Sequence, residues 1–240
     1  MTTSFLRNFY NKDFRGMKEI SDNSIDLVFT SPPYKFEDMF SYQLMYSLAD
    51  DLVRVMKKNG MIFLNFGQLA GYKDVPLRAA LILNKHFTFV DTIIWEKPQY
   101  SPCSGNKRLN NRFEFIFQFA NGQDYELDRL AIGVPYEDKS NVGRYSDVDL
   151  HCRGNVWRIG YATIQNRSQK PHPHRFPVEL VELGILLAGK KGDNFLDPFT
   201  GSGSSILACY KHGMNFHGYE INPEWHNVAV ERFRRETRGR

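Results

Sequence analysis

The sequence predicts an α/β protein built on a doubly wound, mostly parallel sheet, and three observations carry that prediction. Four apolar runs, "SIDLVFT" (24–30), "GMIFLNF" (60–66), "FTFVDTIIW" (87–95) and "FEFIFQF" (113–119), are dense in β-branched and aromatic residues, as strands buried on both faces are. Stretches with helical spacing separate or follow such runs on both sides of an irregular middle. Near the C-terminus "FLDPFTGSGSS" (195–205) reads as a strand, a tight glycine turn and the start of a helix.

Taken in order, "FSYQLMYSLADDLVRVMKKNG" (40–60) spaces its apolar residues as one helix face, and Lys57-Lys58-Asn59-Gly60 predicts a basic last turn and a stop. "DVPLRAALILNKH" predicts a second helix. Residues 121–170 show no sustained period and predict a small irregular insertion within a single domain spanning 1–240. "PVELVELGILLAGKKGD" predicts a helix with Pro177 near its start and Gly192 past its end. "NFLDPF" (194–199) and "NFHGYEIN" (215–222) predict strands, and "PEWHNVAVERFRRETRGR" a closing helix opened by Pro223.

The 240 residues can bury a real core, and 42% hydrophobic with 24% charged residues is ordinary for a soluble globular chain. No apolar run approaches the ~20 residues of a membrane span, and the first residues form no signal core, so a cytoplasmic location without membrane partners is expected. Cys103, Cys152 and Cys209 form no close pair, and His172 and His174 have no acid or cysteine at ligand spacing; no metal is expected. The net charge of +4 is modest, but its placement is uneven. Acid-free stretches run from Lys97 to Phe113 and from Leu150 to Val178. Lys97, Lys107, Arg108 and Arg112 in the first, and Arg153, Arg158, Arg167 and Lys170 in the second, are candidates for a polyanion-binding face. Two solvated loops would have the same composition.

In "FLDPFTGSGSS", Gly201 and Gly203 allow close backbone approach to a ligand beside a helix N-terminus. The third glycine of a dinucleotide fingerprint and the lysine of a P-loop are missing. Asp197, at the strand end, would repel a pyrophosphate and suit a cationic amine or sulfonium. Glu220, about twenty residues on, ends the next strand where an acid can accept from ribose hydroxyls. Ribose with a positive centre and no phosphate lysine fits S-adenosylmethionine.

Together, "TSPPY" (30–34) and "LDPFTGSGSS…GYEI" resemble the DNA amino-methyltransferases, whose base motif is Asp, Asn or Ser followed by Pro-Pro-Tyr/Phe. Ser31, Pro32, Pro33 and Tyr34 match that motif. Asp197, Pro198, Phe199, Gly201, Ser202 and Gly203 match the cofactor motif. The order, base motif first, resembles the circularly permuted beta class and implies its seven-stranded sheet. "HPHRFPVELVE" (172–182) resembles the segment that opens the helix before the cofactor loop, with Phe176 and Pro177 in place; Asp13 sits where relatives contact the donor's adenine; "GNVWRIG" (154–160) is also similar.

The resemblance implies methyl transfer from S-adenosylmethionine to an exocyclic amine of double-stranded DNA, as in restriction-modification enzymes, and is compatible with a homodimer. Such an amine is a poor nucleophile until its N–H hydrogens are accepted by oxygens, here the Ser31 hydroxyl and the Pro32 carbonyl. The two prolines hold that carbonyl in a fixed direction, and Tyr34 offers a stacking face for a base turned out of the duplex. Serine at the first motif position favours N4 of cytosine over N6 of adenine. An RNA, protein or small-molecule methyltransferase, or an inactive DNA-binding module, would share much of this pattern.

Overall fold

The structure is a computed structural model that describes residues 2–34, 39–99, 107, 109–144, 147–160 and 176–238. Its elements are α1 (Thr2–Phe5), β1 (Phe9–Tyr10), β2 (Ile25–Thr30), α2 (Met39–Val55), β3 (Met56–Gly67), α3 (Val75–Leu83), β4 (Thr88–Glu96), β5 (Phe113–Ala120), β6 (Val156–Arg158), α4 (Val178–Ala188), β7 (Asn194–Asp197), α5 (Ser204–His212), β8 (Asn215–Tyr219) and α6 (Pro223–Glu236). The strands form one sheet in the order β1-β8-β7-β2-β3-β5-β4-β6. Only β5 runs antiparallel to its neighbours, β3 and β4.

Alternation along the central strands sends side chains to two cores. Leu27, Phe29, Met61 and Phe63 face α4, α5 and α6, whereas Val28, Ile62, Leu64 and Phe66 face α2 and α3. Helix α2 buries Met45, Leu48, Ala49, Leu52 and Val55, the single stripe its spacing predicts. At about 1.5–3 kcal/mol for each large apolar side chain removed from water, this double layer is what holds the sheet centre rigid.

Among the described residues the sheet has eight strands rather than seven, because β6 adds a three-residue edge strand parallel to β4. It lies inside the segment expected to be irregular, and three residues are too few to leave a periodic signal. Helix α2 stops at Val55, earlier than expected, and Lys57–Gly60 belong to β3. The Lys57 ammonium binds the Asp26 carboxylate of β2 at 2.7 Å, and Asn59 takes a left-handed φ of 64° in an irregular strand start. Helix α4 ends at Ala188 with Gly189 as its C-cap, so Gly192 serves a later turn. Strand β4 is not buried on both faces. Its partner β6 reaches only Ile94–Glu96, and Phe89 in its first half is 43% exposed.

Strand β2 leads through α2 to β3 on one side of the sheet, and β7 leads through α5 to β8 on the other. The carboxyl ends of β2 and β7 are therefore adjacent where the winding reverses, which is where open α/β sheets form a ligand crevice. Among the described residues no helix is long and apolar enough to cross a membrane.

Candidate active site

A cleft of about 420 Å³ opens at this reversal point. Its wall is built by the segment after β2 (Ser31, Pro32, Pro33, Tyr34), the turn after β7 (Pro198, Phe199, Gly201, Ser202), the end of β8 (Glu220), Phe176 before α4, and Asp13 near the N-terminus. The two sequence motifs thus share one cavity although more than 160 residues separate them.

The turn after β7 is held from four sides. Thr200 donates its N–H to the Tyr219 carbonyl at 2.9 Å, and Gly201 donates to Glu220 Oε2 at 2.9 Å. Gly203 is the N-cap of α5 with φ 81°, a left-handed conformation that only glycine adopts cheaply; a Cβ there would lie 3.0 Å from Ala229 of α6. Arg232, buried in α6, donates from Nη1 to the Ser202 carbonyl at 3.1 Å and to Ser204 Oγ at 3.2 Å. Ser204 in turn donates to the Phe176 carbonyl at 2.8 Å, joining the turn to the residue that closes the cleft's apolar side. The second oxygen of Glu220 accepts from the Asn222 N–H at 2.8 Å. Each carboxylate oxygen has a further lone pair, so Glu220 is oriented without being exhausted.

Asp197 corrects a sequence expectation. It is fully buried and lies behind the cleft wall. One oxygen accepts from Thr30 Oγ1 at 2.8 Å and from the Phe199 N–H at 3.1 Å, and the other accepts from Ser205 Oγ at 2.6 Å. Its carboxyl clamps β2, the turn and α5 together and does not line the cleft. Burial pushes its pKa up to about 6, opposed by the hydrogen bonds from Ser205, Thr30 and Phe199 and assisted by the charge of Glu220. Pro177 and Gly203 also support the wall without lining it. Asp13 lines the cleft, but its carboxylate is already forked onto Arg15, whose Nε lies 3.0 Å from both oxygens and holds the acid below its usual range.

Tyr34 is only 6% exposed. Its ring packs on Phe66 at a centroid distance of 5.6 Å, and its hydroxyl lies 2.9 Å from Ser31 Oγ, 2.8 Å from Glu114 Oε2 and 3.3 Å from Asn65 Oδ1. Gly67 closes the other side, where an added Cβ would come within 2.6 Å of the ring. Gly67→Ala should therefore push the tyrosine ring toward the cleft; we expect turnover to fall at least about tenfold with ligand affinity at the turn after β7 retained. Steady-state turnover measured beside calorimetric donor binding checks this.

The basic stretches divide. Lys97, expected at a polyanion surface, is buried and binds Glu114 Oε1 at 3.1 Å, so its charge faces inward. Arg112 pairs with Glu96 at 3.1 Å, and Arg153 donates to the Ile132 carbonyl at 3.0 Å. Lys107 and Arg158 are exposed. Arg108, Arg167 and Lys170, with Cys103, His172 and His174, lie outside the described residues. Among the described residues no group of three His, Cys, Asp or Glu side chains could hold a metal. Sequence reasoning missed Asn65, Glu114, Ser205 and Arg232, which act from four elements, β3, β5, α5 and α6; only the polar type of Asn65 and Glu114 inside apolar strands marked them.

Residues 25–231 match the family model of the N6/N4 DNA methylases, which takes in both motifs and every strand of the sheet except β1. The chain belongs to the DNA methylase family. The orphan methyltransferase M.BamHII of Bacillus amyloliquefaciens is 31% identical to this methylase over 248 residues, covering 91% of this chain and 92% of that protein. The cytosine-N4-specific PvuII DNA methyltransferase has the same fold, with a TM-score of 0.72 at 19% identity over 94% of this chain and 85% of its own. M1.HpyAVI, solved in complex with S-adenosylmethionine, superposes with a TM-score of 0.64 at 21% identity, covering 94% of this chain and 98% of that one. The enzyme is thus a DNA methyltransferase, with the permuted order of motifs expected from its sequence.

Proposed function

We propose that this DNA methylase transfers the methyl group of S-adenosylmethionine to an exocyclic amine of a base turned out of duplex DNA, with N4 of cytosine the preferred target. The observation that carries the reading is the shared cleft of Ser31–Tyr34 and the turn after β7. Its size suits one purine nucleoside with a thioether chain, since ligand pockets run from about 300 to 1,000 Å³. Phe176, Phe199 and the exposed Ile221 give apolar surface for a purine, and Glu220 stands at the same edge for the ribose hydroxyls. The sulfonium supplies an electrophilic methyl when the donor is bound.

The chain's own residues then act on the amine. Ser31 Oγ and the Pro32 carbonyl accept its two N–H hydrogens, which localises the nitrogen lone pair; Pro32 and Pro33 keep the carbonyl aimed. With the donor bound, the lone pair would form the N–CH3 bond as the S–CH3 electron pair returned to sulfur, leaving a neutral thioether, and the nitrogen would release one proton to solvent. Rate comes from positioning and from oxygens fixed in advance. The serine at position 31 supports cytosine N4. Lys107 and Arg158, with Arg108, Arg167 and Lys170, are the cations proposed to meet the phosphates; a second subunit would extend that surface.

Incubation with S-adenosylmethionine and mixed-sequence duplex DNA, followed by digestion and nucleoside mass spectrometry, should yield N4-methylcytosine. N6-methyladenine alone would reverse the base preference, and methylation of competing RNA in place of DNA would overturn the polymer.

A further inference from the structure

Resting on the reading of Ser31 as an acceptor for the target amine, we propose that Glu114 and Lys97 are positioning residues that set the direction of the Ser31 hydroxyl. A serine hydroxyl can donate or accept, yet the chemistry requires acceptance, because the amine presents hydrogens. What decides is the destination of serine's own hydrogen. Glu114 is an ionised partner of Lys97, at 3.1 Å, and a carboxylate has no hydrogen to give. The 2.8 Å contact between Glu114 Oε2 and Tyr34 Oη is therefore donated by the tyrosine. Asn65 spends its amide N–H on the Phe115 carbonyl at 3.1 Å and turns its oxygen to Tyr34, a second acceptor for the same hydrogen. Tyr34 has one hydrogen, so its oxygen must accept in the 2.9 Å contact with Ser31. Serine's hydrogen thus points away from the cleft and its lone pairs toward it. The hydrogens run one way, from Ser31 to Tyr34 to Glu114, and the buried Lys97 anchors the end.

Position 34 then has a polar duty besides packing on Phe66. Phenylalanine, which the motif also allows, would pack equally well and leave serine's hydrogen without this acceptor.

Turnover of DNA methylation by wild type, Y34F, E114Q and the double variant, with calorimetric affinity for S-adenosylmethionine, tests the assignment. In E114Q the amide can donate to Tyr34, which frees the tyrosine hydrogen to turn on Ser31. We expect Y34F and E114Q each to lower kcat at least about tenfold, as loss of a charge-assisted hydrogen bond does, with donor affinity within about twofold of wild type. The double variant should be no slower than Y34F, since both changes act on one hydrogen. Wild-type kcat in Y34F, or losses that multiply in the double variant, would overturn the proposal. If E114Q fails to fold with Lys97 left unpaired, K97M/E114Q takes its place in the same cycle, with the same expectation. S31A separates the two levels. Loss of transfer in S31A with full activity in Y34F and E114Q removes the proposal and leaves the reading of the cleft; wild-type activity in S31A removes both.

Discussion

Tyr34→Ala is expected to reduce methyl transfer to DNA by at least about 100-fold at saturating S-adenosylmethionine, while binding of the donor stays near wild type. Two losses combine. Glu114 and Asn65 lose the donor that both use, inside a buried site where an unsatisfied polar group costs about 1–3 kcal/mol. Ser31 loses the oxygen that takes its hydrogen. A 100-fold change needs only about 2.7 kcal/mol, so the prediction is a lower bound. The turn after β7 is held by Tyr219, Glu220 and Arg232, none of which touches Tyr34 through a hydrogen bond described above, and this is why donor affinity should survive. Tritiated-methyl incorporation beside calorimetry measures both quantities, and undiminished incorporation would remove Tyr34 from the site.

Asp197 should give the second large effect, through stability and donor binding together. Asp197→Ala leaves Thr30, Ser205 and the Phe199 N–H without an acceptor behind the cleft wall, and we expect a loss of about 3–5 kcal/mol with donor binding no longer measurable. Asp197→Asn keeps the shape and removes the titration. Burial raises this carboxyl from 3.8 to about 6, so the native state holds the proton more tightly than the unfolded chain does. The stability this lends is complete below about pH 4 and is lost as pH rises through 6. At about 1.4 kcal/mol per pH unit between the two values, the loss amounts to about 3 kcal/mol at most. Wild type should therefore be most favoured over Asp197→Asn near pH 4 and lose that margin by pH 7. Urea unfolding of the two proteins at pH 4.5 and 7.5 checks the sign; a margin that grew with pH would show that the carboxylate, not the acid, is the form the fold prefers.

Why nature keeps an expensive acid there follows from its partners. Thr30 ends β2, Ser205 lies in the first turn of α5, and Phe199 lies in the turn between β7 and α5, so one carboxyl group sets the spacing of the two halves of the cleft. The acid builds the wall from behind and does not line the cleft.

Much of this molecule was legible before any fold existed. Period and residue type are local properties, so the strands at 25–30, 113–120 and 194–197, the helices around them and the glycine turn could all be read along the chain. The two motifs also named most of the cleft, from Ser31 to Tyr34 and from Pro198 to Ser202. What the chain alone could not decide was which way a polar side chain turns, because that depends on partners brought from elsewhere. Lys97 looked like a surface cation until β5 placed Glu114 beside it; Asp197 looked like a ligand contact until Thr30 and Ser205 enclosed it. The short edge strand β6 was equally hidden, since three residues form a strand only when Ile94–Glu96 lies alongside to receive their hydrogen bonds. Sequence determined the elements and the cleft's membership; the burial of charges and the direction of hydrogens were decided by packing between segments far apart in the chain, where desolvation makes an unpaired charge too costly to keep.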